Sequence, residues 1–182
     1  MAKLAASAYG QALYELAIES GSAAGYLDEV QIVLEAFKEN SELTDFLNNP
    51  KISKTDKVKT MESIFDSHVR KDITGLIVLA VEKDRQSDIT GILDFFVAVV
   101  KDYLRIGIVN VTTPMELSDK QKADVEKRIL DTTSFKKLEM NYSIDKSLIG
   151  GMVIRIGDRV VDTSIKTKLA ELTKELNKLQ LA

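Results

Sequence analysis

The sequence of 182 residues contains no cysteine, no tryptophan and a single histidine, His68. Without cysteine the chain cannot form disulfides, cysteine-rich zinc sites or a thiolate nucleophile, and one histidine cannot build a multi-histidine metal centre. The hydrophobic content of 45% and the charged content of 29% are those of a globular protein rather than a disordered one. These absences exclude the commonest kinds of catalytic and metal-binding site that depend on cysteine or on several histidines.

The chain also lacks a long apolar run and an excess of positive charge. Its longest apolar segments, residues 75–81 and 95–100, are far shorter than the roughly 20 residues that a membrane-spanning helix needs. The N-terminal segment has neither a signal-peptide core nor the arginine-rich character of a transit peptide, so we expect an intracellular setting. With 25 basic and 28 acidic residues the net charge is −3, which argues against nucleic acid as the main partner.

Residues 1–105 show the hydrophobic periodicity of α-helices almost without interruption. Turn signals such as Gly21 and Asn49-Pro50 divide this region into segments that suit a compact bundle. Six helices are predicted, beginning near Leu4, Ala23, Ser41, Ser53, Val69 and Ile89. Ser41 and Ser53 are expected to cap the third and fourth helices.

Beyond Arg105 the hydrophobic period changes from that of a helix to the period of two that is typical of strands. Strands are predicted over residues 106–112, 138–144 and 152–156, and Gly157-Asp158 predicts a hairpin turn. Ser118 to Gln121 has the spacing of a capping box, and Ser164 is expected to cap the last helix. The predicted fold is therefore α+β, with a six-helix domain over residues 1–105 and a smaller mixed α/β domain over residues 106–182.

Three groups of residues invite a chemical interpretation, and a structural one explains each more simply. Gly150, Gly151 and Gly157 lack the spacing of a phosphate-binding loop, so a hairpin or bulge role is favoured. His68 with nearby Asp66 is a weak case for a catalytic base and favours a helix-entry or surface role. A magnesium site could be imagined from Asp145, Asp158 and Asp162, although aspartates commonly serve as turn and cap residues.

The first and fifth helices carry more apolar residues than one buried face needs. On a helical wheel of about 100° per residue, the first helix has one stripe of Ala5, Tyr9, Ala12, Leu13 and Leu16, and another of Leu4, Tyr14 and Ile18. On the fifth helix, Val78 and Leu79 lie beside Gly75 and outside the main apolar face. Either both helices are central to the bundle, or they form a groove for a partner's amphipathic helix.

Two segments resemble a known family. Residues 144–164, IDKSLIGGMVIRIGDRVVDTS, are similar to the C-terminal signature of the delta subunits of bacterial F-type ATP synthases, whose mitochondrial relative is the oligomycin-sensitivity-conferring protein. Residues 8–17, AYGQALYELA, resemble that family's opening helix, and the likeness extends over the whole chain. Gly10 stands where the family usually carries alanine, and we expect it to loosen the first helix locally.

The resemblance implies a non-enzymatic stator subunit without cofactor or metal, present as one copy per complex. In this family the helical domain grips the N-terminal helix of an alpha subunit between its first and fifth helices. The smaller domain holds the b subunits of the peripheral stalk, which couples the catalytic head to the membrane sector. The implied location is peripheral, on the cytoplasmic face of the bacterial membrane, with attachment only through partner subunits.

The resemblance also implies site residues. The groove residues are Tyr9, Leu13, Gly75, Val78 and Leu79. The signature residues are Ile144, Asp145, Leu148, Ile149, Gly150, Gly151, Ile154, Gly157 and Asp162. We expect the signature glycines to shape a hairpin, and the last helix with its nearby strands to contact the b subunits.

Two alternatives from other classes remain at this point. A helical adaptor that binds amphipathic peptides in another complex would fit the bundle but would leave the C-terminal signature unexplained. A small enzyme using the three aspartates would need convergent polar residues in a pocket, and the sequence offers no plausible pair of nucleophile and base.

Overall fold

The computed structural model describes residues 2–180, with side chains described for residues 7–174 and for Leu176. Within this range the chain combines helices with a four-stranded sheet, which confirms the predicted α+β class. The chain divides into two compact units, Met1–Leu104 and Arg105–Ala182. No helix of the described range is long and apolar enough to cross a membrane.

The first unit is helical throughout its described length. Its α-helices are α1 (Ala2–Glu19), α2 (Ala23–Glu39), α3 (Ser41–Asn48), α4 (Lys54–Phe65), α5 (Lys71–Glu82) and α6 (Ile89–Tyr103). A short 3₁₀ turn, Gln86–Asp88, leads into α6. The largest fully buried side chains of this unit are Phe96, Leu13, Leu47, Met61, Ile73, Ile77, Ile89, Ile92, Leu93, Val30, Val33 and Val81.

Local capping explains several helix ends and corrects two predicted starts. Ser53 caps α4 as predicted, because its side chain accepts a hydrogen bond from the backbone N–H of Asp56. The cap position of α3 is Asn40, so Ser41 is the first helical residue instead of the cap. The fifth helix begins at Lys71 rather than near Val69, since Arg70 has extended backbone angles.

A partly buried polar network ties the start of α5 to α2. The guanidinium Nε of Arg70 donates to Glu29 Oε1 at 3.0 Å, and its backbone N–H donates to Glu29 Oε2 at 2.7 Å. The same guanidinium lies 4.5 Å from the ring centroid of Tyr26, whose hydroxyl donates to Asp72 at 2.5 Å. Burial first, and the Asp72 carboxylate second, raise the pKa of Tyr26. These contacts fix the N-terminal end of α5 against α2.

Gly10 allows α1 to pack closely on α6. A Cβ at this position would lie 2.6 Å from Cδ1 of Phe95 and 3.0 Å from the carbonyl oxygen of Ile92. Gly10, Leu13 and Ala17 are all buried and follow one helical face. The glycine therefore has a packing role, because it lets two helix backbones approach where a larger residue would hold them apart.

The second unit is built on a mixed sheet. Its elements are β1 (Ile106–Thr113), α7 (Asp119–Thr132), β2 (Lys137–Ile144), a 3₁₀ turn (Lys146–Leu148), β3 (Val153–Ile156), β4 (Arg159–Asp162) and α8 (Ile165–Gln180). The strand order is β2-β1-β3-β4. Strands β1 and β2 are parallel and connected through α7, whereas β3 is antiparallel to both β1 and β4.

Helix α7 covers one face of this sheet. The predicted capping box is present, with the Ser118 hydroxyl accepting from the Gln121 backbone and the Gln121 side chain accepting from the Ser118 backbone. The buried centre of the unit consists of Val109, Val111, Ile129 and Leu138. Register places these strand residues on the same face, so the period of two in the sequence corresponds to a half-covered sheet.

The close contact at Gly10 gives a stability prediction. We expect Gly10→Ala to destabilise the chain by about 1–2 kcal/mol, since overpacking against Phe95 and the Ile92 carbonyl outweighs the better helix propensity of alanine. Gly91→Ala in α6 is the matched control, because a Cβ there meets no atom within 4 Å. That control should stabilise by about 0.5–1 kcal/mol. Urea denaturation measures both, and equal stabilisation by the two alanines would contradict the packing role.

Candidate functional site: apolar surfaces on three helices

Helix α5 is buried along one side and leaves a short apolar stripe on the other. Ile73, Leu76, Ile77, Ala80 and Val81 lie in the core. Gly75 and Leu79 are exposed, Leu79 to 40%, and Val78 between these two faces is partly exposed. A Cβ on Gly75 would meet no atom of the described side chains within 4 Å, so among these residues the surface beside this glycine is open. The stripe of Gly75, Val78 and Leu79 is therefore at least partly exposed among the described residues.

Helix α1 also exposes a large apolar residue, Leu16. Which residues of α1 are exposed follows from which side of the helix is buried in the core. Leu13 is 1% exposed and belongs to the core, so this predicted groove residue is not at the surface. Leu16 is 46% exposed and Ala12 is exposed, whereas Tyr9 is partly exposed. The stripe predicted from the wheel is therefore split between the core and the surface. Leu4 and Ala5 lie outside the described side chains.

The other predicted stripe of α1 is directed toward the end of α6. Tyr14 packs edge-on against Tyr103, with ring centroids 6.0 Å apart. Ile18 lines a small cavity of about 190 Å³ together with Tyr103 and Leu104. Tyr14 and Ile18 thus have neighbours within the unit, while Tyr9, Ala12 and Leu16 lie on the opposite flank of the buried face. Helices α1 and α5 are in contact, and each carries an exposed leucine.

The last helix has an apolar seam that is exposed along its described residues. Ile165, Leu169, Leu172 and Leu176 follow the spacing of a coiled-coil seam, and all four are exposed. Strand β4 at the sheet edge adds exposed Val160 and Val161. An apolar seam of this kind is typical of a helix that binds another helix.

The signature residues converge where the turn after β2 meets the start of α8. Gly151 has a φ of +75°, and a Cβ on it would overlap the carbonyl oxygen of Thr163. A Cβ on Gly150 would lie 2.5 Å from Cδ1 of Ile165. The two glycines therefore let the turn touch the first residues of α8, and Leu148 is buried beside them. Ile149 adopts a φ of +67°, which is rare for a β-branched residue.

Hydrogen bonds complete this junction. The Ile165 N–H donates to the Gly150 carbonyl at 3.0 Å, and the Thr167 N–H donates to the Ser164 hydroxyl at 3.2 Å, which is the cap predicted for this helix. Asp162 accepts from the Ser164 N–H at 2.8 Å and from the Thr167 hydroxyl at 2.7 Å. These donors lower the pKa of Asp162, and the Ser147 N–H likewise lowers the pKa of Asp145.

The remaining signature residues and chemical candidates have ordinary positions. Ile154 packs against the sheet core, Ile144 is exposed at the end of β2, and Gly157 has a φ of +55° in the β3–β4 turn. Asp145 and Asp162 cap turns, and His68 is exposed just before α5. The described residues contain no group of three histidine, cysteine or acidic side chains that could hold a metal. The geometry here serves packing and the capping of turns.

The comparisons with known proteins agree over nearly the full length. The family model described as ATP synthase delta (OSCP) subunit matches residues 5–176. The ATP synthase subunit delta of Lachnoclostridium phytofermentans is 45% identical over 181 residues, covering 100% of both chains. That of Desulforamulus reducens is 33% identical over 168 residues, covering 92% of each.

A solved structure shares the fold. A chain in the cryo-EM structure of the Toxoplasma gondii mitochondrial ATP synthase hexamer superposes with a TM-score of 0.72 at 17% identity. The match covers 94% of this chain and 96% of that one.

The junction at Gly151 leads to a second prediction. Gly151→Ala should destabilise the second unit by more than about 2 kcal/mol, because the new methyl group adds a backbone clash to an unfavourable positive φ. Gly157→Ala is the control: it shares the positive φ but meets no atom within 4 Å, so a cost of about 1–2 kcal/mol is expected. Thermal denaturation monitored by circular dichroism compares the two. A similar loss at both positions would show that conformation alone, and not close packing, requires the glycine at 151.

Proposed function

The chain belongs to the ATP synthase delta (OSCP) family and is a peripheral-stalk subunit of an F-type ATP synthase, and we propose that each of its units holds a different partner. In this proposal the helical unit binds the N-terminal helix of an alpha subunit, and the second unit binds the b subunits. One copy serves each complex, on the cytoplasmic face of the membrane, and its attachment to the membrane comes through these partners. The delta subunit is a stalk subunit and not the catalytic one.

The observation that carries the proposal for the helical unit is the pair of exposed leucines on two helices in contact. Leu16 on α1 and Leu79 on α5 each lie beside a small exposed residue, Ala12 and Gly75. Small residues allow a partner backbone to approach closely, and the leucines supply apolar area to bury. Tyr9 and Val78, which are partly exposed on the same two helices, are included with them. We call the six residues together the α1–α5 surface.

The second unit supports a different contact. The exposed seam of α8 has the spacing that packs against another helix, which suits the helical end of a b subunit. The signature junction fixes the first turn of α8 through Gly150, Gly151 and Asp162, so the seam leaves the unit in a defined direction. In this proposal the signature acts on the b contact through α8.

The mechanical task favours apolar surfaces of this kind. A stator subunit transmits torque at each turnover, so its contacts must be tight and slow to dissociate. Preformed apolar surfaces on rigid helices meet that demand better than exposed ion pairs, which contribute about 0–1 kcal/mol each and weaken with salt. An adaptor in an unrelated complex would use the same helical surface, but family membership over residues 5–176 favours the ATP synthase.

The proposed binding role of the α1–α5 surface can be tested by introducing one negative charge into it. Leu79→Asp should weaken binding of the full-length chain to a peptide of the alpha N-terminal segment at least about tenfold, because a carboxylate would be buried at the interface. Helical content should remain, since Leu79 is 40% exposed. Isothermal titration calorimetry measures the affinity. Ile32→Asp on α2 is the matched control, since Ile32 is 54% exposed and lies outside this surface. Unchanged affinity of the Leu79 variant would show that the peptide binds elsewhere.

The α8 seam is tested in the same way. Leu172→Asp should reduce pull-down of the b subunits while leaving binding of the alpha peptide intact, because the two partners use different units. Met115→Asp, in the exposed loop after β1, introduces the same charge away from the seam. Retention of the b subunits by the Leu172 variant would exclude α8 as their contact.

A further inference from the structure

The two helices of the α1–α5 surface repeat one exposed pattern. On α1 a small residue, Ala12, is followed by Leu16 and then by Glu19, and on α5 Gly75 is followed by Leu79 and then by Glu82. All six residues are exposed. The spacing of four and then three residues places each set along a single line of its helix. Each exposed leucine is therefore followed by a carboxylate at the C-terminal end of its helix.

On α1 the negative charge lacks a described counter-ion. Glu15 and Glu19 are four residues apart at the end of the helix, where the backbone carbonyls already make the environment negative. Glu15 accepts only a neutral hydrogen bond, from the Gln11 amide at 3.3 Å. Among the described side chains no cation lies within ion-pair distance of Glu15 or Glu19. From Ser7 to Glu19 the helix has two glutamates and no lysine or arginine.

The end of α5 is different, because a lysine ammonium lies at its C-terminal backbone. Glu82 is followed directly by Lys83, and the ammonium of Lys54 donates to the backbone carbonyl of Glu82 at 3.3 Å. That same ammonium pairs with Asp84 at 2.5 Å. The two sides of the α1–α5 surface therefore carry unlike charge: the α1 side is acidic and the α5 side is mixed.

We infer that the helix bound at the α1–α5 surface is amphipathic and directs basic side chains toward Glu15 and Glu19 of α1. This inference rests on the proposed function, since it specifies the charge of the partner at the same surface. A lysine or arginine there would relieve the repulsion between two glutamates at an unfavourable helix end. The apolar side of the partner would cover Leu16 and Leu79, so the charge would determine the orientation of the helix and its rate of association more than its total affinity.

The experiment removes the two negative charges of Glu15 and Glu19 and compares peptide binding at low and high salt concentration. A double variant, Glu15→Gln with Glu19→Gln, and the unaltered chain are titrated with the alpha N-terminal peptide at about 50 mM and about 500 mM NaCl. We expect the double variant to bind about three- to tenfold more weakly at low salt, with most of the difference lost at high salt. Stopped-flow measurements should assign most of the change to the association rate.

The matched control is another pair of glutamates at a helix end. Glu35 and Glu39 are exposed and four residues apart at the end of α2. If Glu35→Gln with Glu39→Gln weakened binding equally, the effect would come from net charge and the inference would be overturned. Full low-salt affinity of the α1 double variant would also overturn it, while loss of binding by Leu79→Asp would leave the proposed surface standing. Unchanged binding by Leu79→Asp would instead reject the surface itself.

Discussion

Close contact between α1 and α6 at Gly10 determines which residues of α1 lie at the surface of the helical unit. Because the backbone of α6 lies next to this glycine, Gly10, Leu13 and Ala17 are directed inward, and the rotation of α1 is fixed. Leu16, three residues beyond Leu13, then lies at the edge of the buried face and is 46% exposed. The absence of a side chain at Gly10 thus affects both the packing of α1 on α6 and which residues of α1 are exposed.

In the second unit, too, glycines allow two segments to approach closely, here the turn after β2 and the start of α8. Gly151 lets the turn after β2 touch the backbone of Thr163, and the Gly150 carbonyl accepts the first N–H of α8. Asp162 and Ser164 then supply the acceptors that the start of a helix requires. Lys166 adds a hydrogen bond to the Ser147 hydroxyl at 3.1 Å, whereas the seam leucines of the helix are exposed. The family signature is therefore explained by the placement of α8, with no need for a chemical role.

Periodicity and capping patterns were sufficient to predict most of the elements. The capping serines Ser53, Ser118 and Ser164 depend on neighbours within three residues, so the sequence contains the whole interaction. The buried side of α1 could not be predicted in this way, since alanine, glycine and tyrosine tolerate both core and surface. Its orientation depends on Phe95 and Ile92, which are more than eighty residues away. The positive φ of Ile149 was also inaccessible, because no local pattern requires it from a β-branched residue.

The polar network at the start of α5 affects how a force applied to the exposed stripe of α5 would be transmitted to the rest of the helical unit. If a partner pulls on Leu79, the force reaches the rest of the unit through α5, which must resist sliding along its own axis. The hydrophobic effect that buries α5 is by itself non-directional. The bidentate contact between Arg70 and Glu29, with the Tyr26 hydroxyl on Asp72, adds directional bonds that hold the N-terminal end of α5 to α2. These groups are partly buried, so salt screens them less than it screens an exposed pair. Helix α5 thus carries both an exposed apolar stripe and, at its N-terminal end, directional polar contacts to α2.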